Sequence, residues 1–188
     1  MLEIVVYGGA FNPPHAGHAD AIRQLAAVGR RILVVPACRH AFGKHMAPFE
    51  LRVNWLQRIV DQLVDEGVPV QVDDCERQLA AERDGPLYSW DLLNHIAARE
   101  GLPAREVGFV VGEDNLAALA RFHQAEALLR TYPLVLAREH VALHSTTIRQ
   151  AISEGSTIDA LWLPPGLTIH DYAFFAGAGR QQPEGLAR

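Results

Sequence analysis

Gly8-Gly9-Ala10-Phe11-Asn12-Pro13-Pro14-His15-Ala16-Gly17-His18 stands between an apolar run at residues 2–7 and a helical pattern that opens at Ala16. A buried strand that delivers the backbone to Gly8 and Gly9 can turn sharply there and come close to a ligand, because the Cβ is missing. Pro13 and Pro14 stiffen the loop and hold His15 and His18 where a helix begins. Unpaired backbone N–H groups and the positive end of the helix dipole favour phosphate at that point. Imidazolium from His15 and His18 can neutralise phosphate charge near neutral pH. Strand, glycine turn, imidazoles and helix start describe an anion site.

The chain around this stretch has 188 residues, of which 49% are hydrophobic and 21% charged. That length supplies one sizeable core, and that composition is globular, so a single domain over residues 1–176 with a disordered tail at 177–188 is expected. A formal net charge of -5 offers no general basic field, so neither nucleic acid nor an anionic membrane is the expected partner. An anionic ligand must be met locally. Cys38 and Cys75 lack metal or disulfide spacing and read as reduced fillers. The opening apolar run is too short for a signal peptide or a spanning helix, and the expected location is cytoplasmic. Lys44 is the only lysine in the chain.

Outward from the first stretch, residues 16–28 carry apolar positions on one helical face and residues 31–36 read as a buried strand, which makes a β-α-β unit with a glycine-rich first turn. A loop at residues 37–47 carries Arg39, His40, Lys44 and His45. Pro48 then takes the first position of a helix striped by Leu51, Trp55, Leu56, Ile59, Val60 and Leu63. Residues 68–72 are expected as a third strand, and the charged stretch through Gly85-Pro86 as loop. Ser89 is placed as N-cap of a helix ended by Gly101. Residues 107–111 form a fourth strand, 116–129 a broken helix and 134–137 a fifth strand. Ser145-Thr146-Thr147 caps a helix at 148–154, and residues 161–175 read as a closing helix over the sheet edge. Five strands separated by helices predict a doubly wound, Rossmann-like α/β parallel sheet.

A second phosphate site lies at Ser145-Thr146-Thr147-Ile148-Arg149. Hydroxyls, free N–H groups at a helix start and a guanidinium can all address phosphate oxygens there. Neither site pairs a nucleophile with a base. Phosphoryl and nucleotidyl transfer need none, since alignment of the attacking group and neutralisation of charge carry most of the catalysis.

The stretch from Gly8 to His18 resembles the first signature of the HxGH nucleotidylyltransferase superfamily, in the version found in nicotinate or nicotinamide mononucleotide adenylyltransferases. Ser145 to Arg149 is similar to that family's second signature, Gly112-Glu113-Asp114-Asn115-Leu116 to its segment after the fourth strand, and Tyr88-Ser89-Trp90-Asp91-Leu92 to its nucleotide-pocket segment. The resemblance implies attack of a pyridine mononucleotide phosphate on the α-phosphate of ATP, with Mg²⁺ held through the ATP phosphates, giving a dinucleotide and pyrophosphate. It implies that His15 and His18 stabilise the transition state, and that Ser145, Thr146, Arg149 and Lys44 hold the β and γ phosphates. By the same resemblance Gly8, Gly9, Ala10 and Phe11 shape the floor, and Gly112 and Asp114 meet the nucleotide. Tyr88, Ser89 and a stacking Phe122 serve the mononucleotide.

His144 departs from the family, which commonly has a small hydroxyl residue there. Three other readings are open at this point. One is a phosphopantetheine adenylyltransferase or cytidylyltransferase of the same superfamily, whose usual variants of these signatures are not seen. Another is a non-catalytic nucleotide-binding module. The third, a metal site of His15 and His18 with His40 or His45, lacks a recognised spacing. A homo-oligomer is also left open.

Overall fold

Strand residues of alternating direction must be buried on both faces if helices cover the sheet on either side, and the apolar runs of this chain are buried in that way. The computed structural model describes residues 1–39 and 46–178. Among them β1 (Leu2–Gly9), β2 (Gly29–Pro36), β3 (Val70–Val72), β4 (Val107–Gly112) and β5 (Leu134–Ala137) form one sheet in the order β3-β2-β1-β4-β5, every pairing parallel. β1 is central. Its register sets Gly8 against Val35 and Gly9 against Pro36, so the strand ends that carry loops lie side by side.

Val5, Ile32, Val34, Val110 and Val135 face one core. There they meet Ile22 and Leu25 of α1 (Ala16–Leu25), Trp55, Leu56, Ile59 and Leu63 of α2 (Phe49–Asp65), and Ile148 of α6 (Ser145–Ser153). Ile4, Val6, Leu33, Val35, Phe109 and Val111 face the other core. Its cover comes from Leu92, Leu93 and Ile96 of α4 (Ser89–Glu100) and Leu128 of α5 (Ala125–Thr131). Helices α1, α2, α4 and α5 each return the chain to the start of the next strand, so helix N-termini and the carboxyl ends of strands share one edge. No helix among the described residues is long and apolar enough to cross a membrane.

Four sequence expectations are corrected. The third strand begins at Val70 rather than 68. The charged stretch after it holds a helix, α3 (Glu76–Glu82), whose start is held by the Asp73 carboxylate accepting from Cys75 N at 3.0 Å. Charge on its outer face hides the short stripe of Cys75, Leu79 and Ala80. Residues 116–129 divide into a 3-10 run, Glu113–Arg121, and α5. The expected closing helix is instead two 3-10 turns, Ala160–Trp162 and Ile169–Tyr172, and a short α7 (Ala173–Ala178), because Pro164-Pro165-Gly166 cannot continue a helix. That segment packs inward. Tyr172 lies edge-on to Trp55 at 5.8 Å, and the Arg58 guanidinium bonds Asp171 and the Gly166 carbonyl. Lys44, His40 and His45 fall outside the described residues, as does the tail from 179 onward.

Candidate active site

The glycine turn is built differently from its expectation. Gly8 and Gly9 remain strand residues, and the sharp change of direction falls at Phe11, which sits at φ 46 in the left-handed region. Phe11 is buried, and its ring folds back over Gly9, so closely that a Cβ there would lie 3.1 Å from Cζ. A left-handed phenylalanine costs energy that neighbours must offset. Here the next carbonyls are held one after another: Asn12 by Arg149 Nη1, Pro13 by Ser145 Oγ at 2.8 Å, and Pro14 by the Tyr172 hydroxyl.

His15 caps α1 and is buried, with its ring 3.8 Å from that of His18. His18 Nδ1 accepts from His15 N at 3.1 Å, so in the neutral ring the proton sits on Nε2, which becomes a donor for a ligand. Buried His15 Nδ1 has no hydrogen-bond partner among the described residues. Burial, then the charge of His144, pulls the His15 pKa down to about 4. Burial, then His15 and His144, hold His18 well below the usual imidazole range. Both rings are therefore held towards their neutral form in the free protein, where His18 presents an Nε2–H donor, and a bound anion raises both pKa values again. At Gly17 a Cβ would lie 3.1 Å from His15 Nδ1 and 3.3 Å from the Val141 carbonyl, so the missing side chain makes room for the His15 ring.

His144 rather than Ser145 is the residue before α6, and Ser145 is its first residue; the Ser145 hydroxyl is engaged with Pro13 instead of capping its own helix. Arg149 reaches Thr146 Oγ1 at 3.1 Å as well as Asn12, and burial lowers its pKa. The two signature stretches, 132 residues apart at the Ser145–Pro13 contact, thus form one face. Gly112 and Asp114 lie at the end of β4, next to β1. Asp114 is exposed, takes a bond from Asn115 Nδ2 at 2.9 Å, and its charge adds to the burial that raises the Tyr7 pKa. Tyr7, Phe11 and His18 form a chain of ring contacts at this edge, and Tyr7 is a neighbour that sequence reasoning passed over.

Tyr88 precedes α4 and Ser89 is its first residue. Tyr88 stacks on exposed His123, with ring centroids 4.3 Å apart and planes at 22°. Phe122, the residue chosen for stacking on the pyridine ring, instead packs edge-on against Phe109 in the second core at 6.2 Å. His123, directly after Phe122 in sequence, is the ring that faces Tyr88. Arg52 is also new to the site. It is 1% exposed and spends its guanidinium on the carbonyls of Ala10, Ala37 and Ala47 at 2.8–2.9 Å. Nearby Glu76 is buried, accepts from Cys38 N at 2.7 Å, and burial pushes its carboxyl up to about 7 against the pull of Cys38 and Arg52.

Two concavities of 320 and 260 Å³ lie at the opposite, amino edge of the sheet. The charges lining the second are mutually paired, Arg30 with Glu3 and Arg31 with Glu100, so no comparable donor set is left for a ligand. Among the described residues no three His, Cys, Asp or Glu side chains converge as a metal cage.

A parallel α/β sheet whose central strand leads into paired imidazoles, faced by a hydroxyl and guanidinium helix start, presents donors suited to phosphate oxygens. Residues 6–158 match the family model Cytidylyltransferase-like. The chain is 33% identical over 174 residues to a probable nicotinate-nucleotide adenylyltransferase of Anaeromyxobacter sp. (strain K), covering 85% of this chain and 88% of that one. It is 31% identical over 142 residues to one from Dehalococcoides mccartyi (strain CBDB1), covering 72% and 64%. Its fold is similar to a putative nicotinate-nucleotide adenylyltransferase from Vibrio parahaemolyticus, with TM-score 0.70, 27% identity and coverage of 93% and 99%. The nicotinic acid mononucleotide adenylyltransferase of Plasmodium falciparum, complexed with NaAD, superposes with TM-score 0.71 at 17% identity, over 93% and 96% of the two chains, a likeness of fold. The chain belongs to the nicotinate-nucleotide adenylyltransferase family, within the cytidylyltransferase-like nucleotidyltransferases.

Proposed function

We propose that the protein transfers the adenylyl group of ATP to nicotinate mononucleotide, releasing pyrophosphate and forming deamido-NAD. The observation that carries this reading is the direct bonding of Ser145 and Arg149 to the Pro13 and Asn12 carbonyls, which makes one donor face from the two signatures. In the reaction a phosphate oxygen of the mononucleotide attacks the α-phosphorus of ATP, the bond from that phosphorus to the bridging oxygen breaks, and pyrophosphate leaves with the electron pair. His18 Nε2–H donates to the α-phosphate oxygens as charge builds, and His15, neutral and short of a partner, gains one. Both take on positive character as the anion enters, since a nearby negative charge raises an imidazole pKa. Thr146, Arg149 and the N–H groups that open α6 hold the β and γ phosphates, and Lys44 is proposed for the same oxygens. Gly8, Gly9, Ala10 and Phe11 form the floor, Gly112 and Asp114 meet the nucleotide, and Tyr88, Ser89 and the ring of His123 border the mononucleotide.

Enzymes of this family use a divalent metal. The donors gathered here are N–H groups, hydroxyls and a guanidinium, which suit phosphate oxygens rather than a hard cation, so Mg²⁺ fits as an ion held by the triphosphate and water. When bound it neutralises charge on the leaving pyrophosphate.

The test is incubation with ATP, Mg²⁺ and nicotinate mononucleotide, with nicotinamide mononucleotide and CTP as alternative substrates. Pyrophosphate and deamido-NAD are expected from the first mixture. No product from a folded preparation overturns the reading. His18→Ala should lower kcat by about 10²-fold or more, the scale for losing a donor to developing charge, with the melting temperature within a few degrees of wild type.

A further inference from the structure

Arg52 buries a full positive charge without an ion pair at bonding distance among the described residues, and its hydrogen bonds go to backbone. Its three acceptors come from three segments: Ala10 in the first signature loop, Ala37 just past β2, and Ala47 ahead of α2. Two of these residues also donate their own N–H to the same loop. Ala37 N bonds the Gly9 carbonyl at 2.8 Å, and Ala47 N bonds Asn12 Oδ1 at 2.8 Å. The guanidinium is thus the hub of two closed circuits. One runs Arg52 to Ala37 to Gly9, returning by Ala10. The other runs Arg52 to Ala47 to Asn12.

Between the two anchor points of the loop, Gly9–Ala10 and Asn12, stands Phe11 in its left-handed conformation. A planar fork with fixed N–H directions prescribes the relative positions of three carbonyls, which a lysine ammonium on a flexible stem cannot do. A charge taken fully out of water costs free energy that an apolar side chain of the same size avoids. Support for α2 packing alone would be met by leucine or methionine, as Leu51, Leu56 and Ile59 meet it elsewhere on the helix. We infer that Arg52 is a positioning residue of adenylyl transfer, holding the loop that leads into His15 and His18 at a fixed distance from the ends of β2 and α2. The inference rests on the reaction proposed above, acts through the loop rather than by touching substrate, and assigns to α2 a part in catalysis.

The experiment compares wild type, Arg52→Lys and Arg52→Met as full-length proteins, measuring kcat and KM for ATP and for nicotinate mononucleotide beside the melting temperature. Misplacement of reacting groups by a fraction of an ångström lowers turnover more than affinity. Arg52→Lys should therefore lose about tenfold or more in kcat, with both KM values within about threefold of wild type. Arg52→Met should lose at least as much in kcat while melting no lower than Arg52→Lys. A folded Arg52→Lys with wild-type kcat overturns the inference, as does a loss confined to melting temperature. Should neither variant fold, amide exchange in the wild type decides. Ala37 and Ala47 N–H groups, though in loops, should exchange slowly, and slower still with ATP bound; fast exchange at both overturns the inference. Failure of the parent reading looks different, since wild type itself then forms no dinucleotide.

Discussion

Glu76 and His15 are buried titratable groups whose effects on stability run in opposite directions with pH. Glu76 has its folded pKa raised from 4.5 to about 7, so the folded chain holds the proton more tightly than the unfolded chain. Its contribution is complete below about pH 4.5 and is lost as pH rises through 7. His15 has its folded pKa lowered from 6.5 to about 4, so its contribution is present above pH 6.5 and lost as pH falls towards 4. Glu76→Gln keeps an acceptor for Cys38 N and removes the charge. It should raise stability at pH 8 by about 1–3 kcal/mol and leave it nearly unchanged at pH 5. Melting curves from pH 5 to 8 check this, and an equal shift at both ends of the range would rule out the buried charge as its source.

Helix α1 shows how a single missing Cβ serves the chemistry of an element. Gly17 is one of its first residues, and glycine inside a helix is a cost of about 1 kcal/mol relative to alanine. The cost is accepted because His15 Nδ1, His15 Cε1 and the Val141 carbonyl all lie 3.1–3.3 Å from where a Cβ would stand. Gly17→Ala should therefore gain helix propensity and lose it again to crowding, leaving the melting temperature within a few degrees. The His15 ring, the movable neighbour, is displaced. Turnover is expected to fall about tenfold or more. An alanine variant with full activity would mean that the ring has other room.

Taken whole, the molecule closes its site with a segment more than 150 residues away in sequence. Tyr172 is fully buried, lies edge-on to Trp55, and donates its hydroxyl to the Pro14 carbonyl. Arg58 holds the same segment from α2 by bonding Asp171 and Gly166. Tyr172→Phe keeps the ring and strips only the hydroxyl, leaving a buried carbonyl unpaired at a cost of about 1–3 kcal/mol. In a chain of this size that is roughly 2–12 °C in melting temperature. The expected result is that drop, with some loss of kcat because Pro14 precedes His15; unchanged melting would show that the carbonyl finds another donor.

Local chemistry determined much of this protein. Apolar runs punctuated by glycine, the histidine pair at a helix start and Ser145 to Arg149 were legible because strands and helix starts depend on near neighbours, and they led to the parallel α/β fold and to the two stretches that it brings together. Only the tertiary structure decided what required groups distant in sequence. The left-handed turn landed on Phe11 because its neighbours' carbonyls are held by Arg52, Arg149 and Ser145. Both imidazoles became neutral because burial removes the water that would solvate their charge. Phe122 packs, partly buried, on Phe109 of β4, whereas His123 beside it is exposed, a choice that depends on where β4 lies. Arg52 could not be told from a solvated helix arginine until three chain segments, brought together by the sheet, pointed their carbonyls at it.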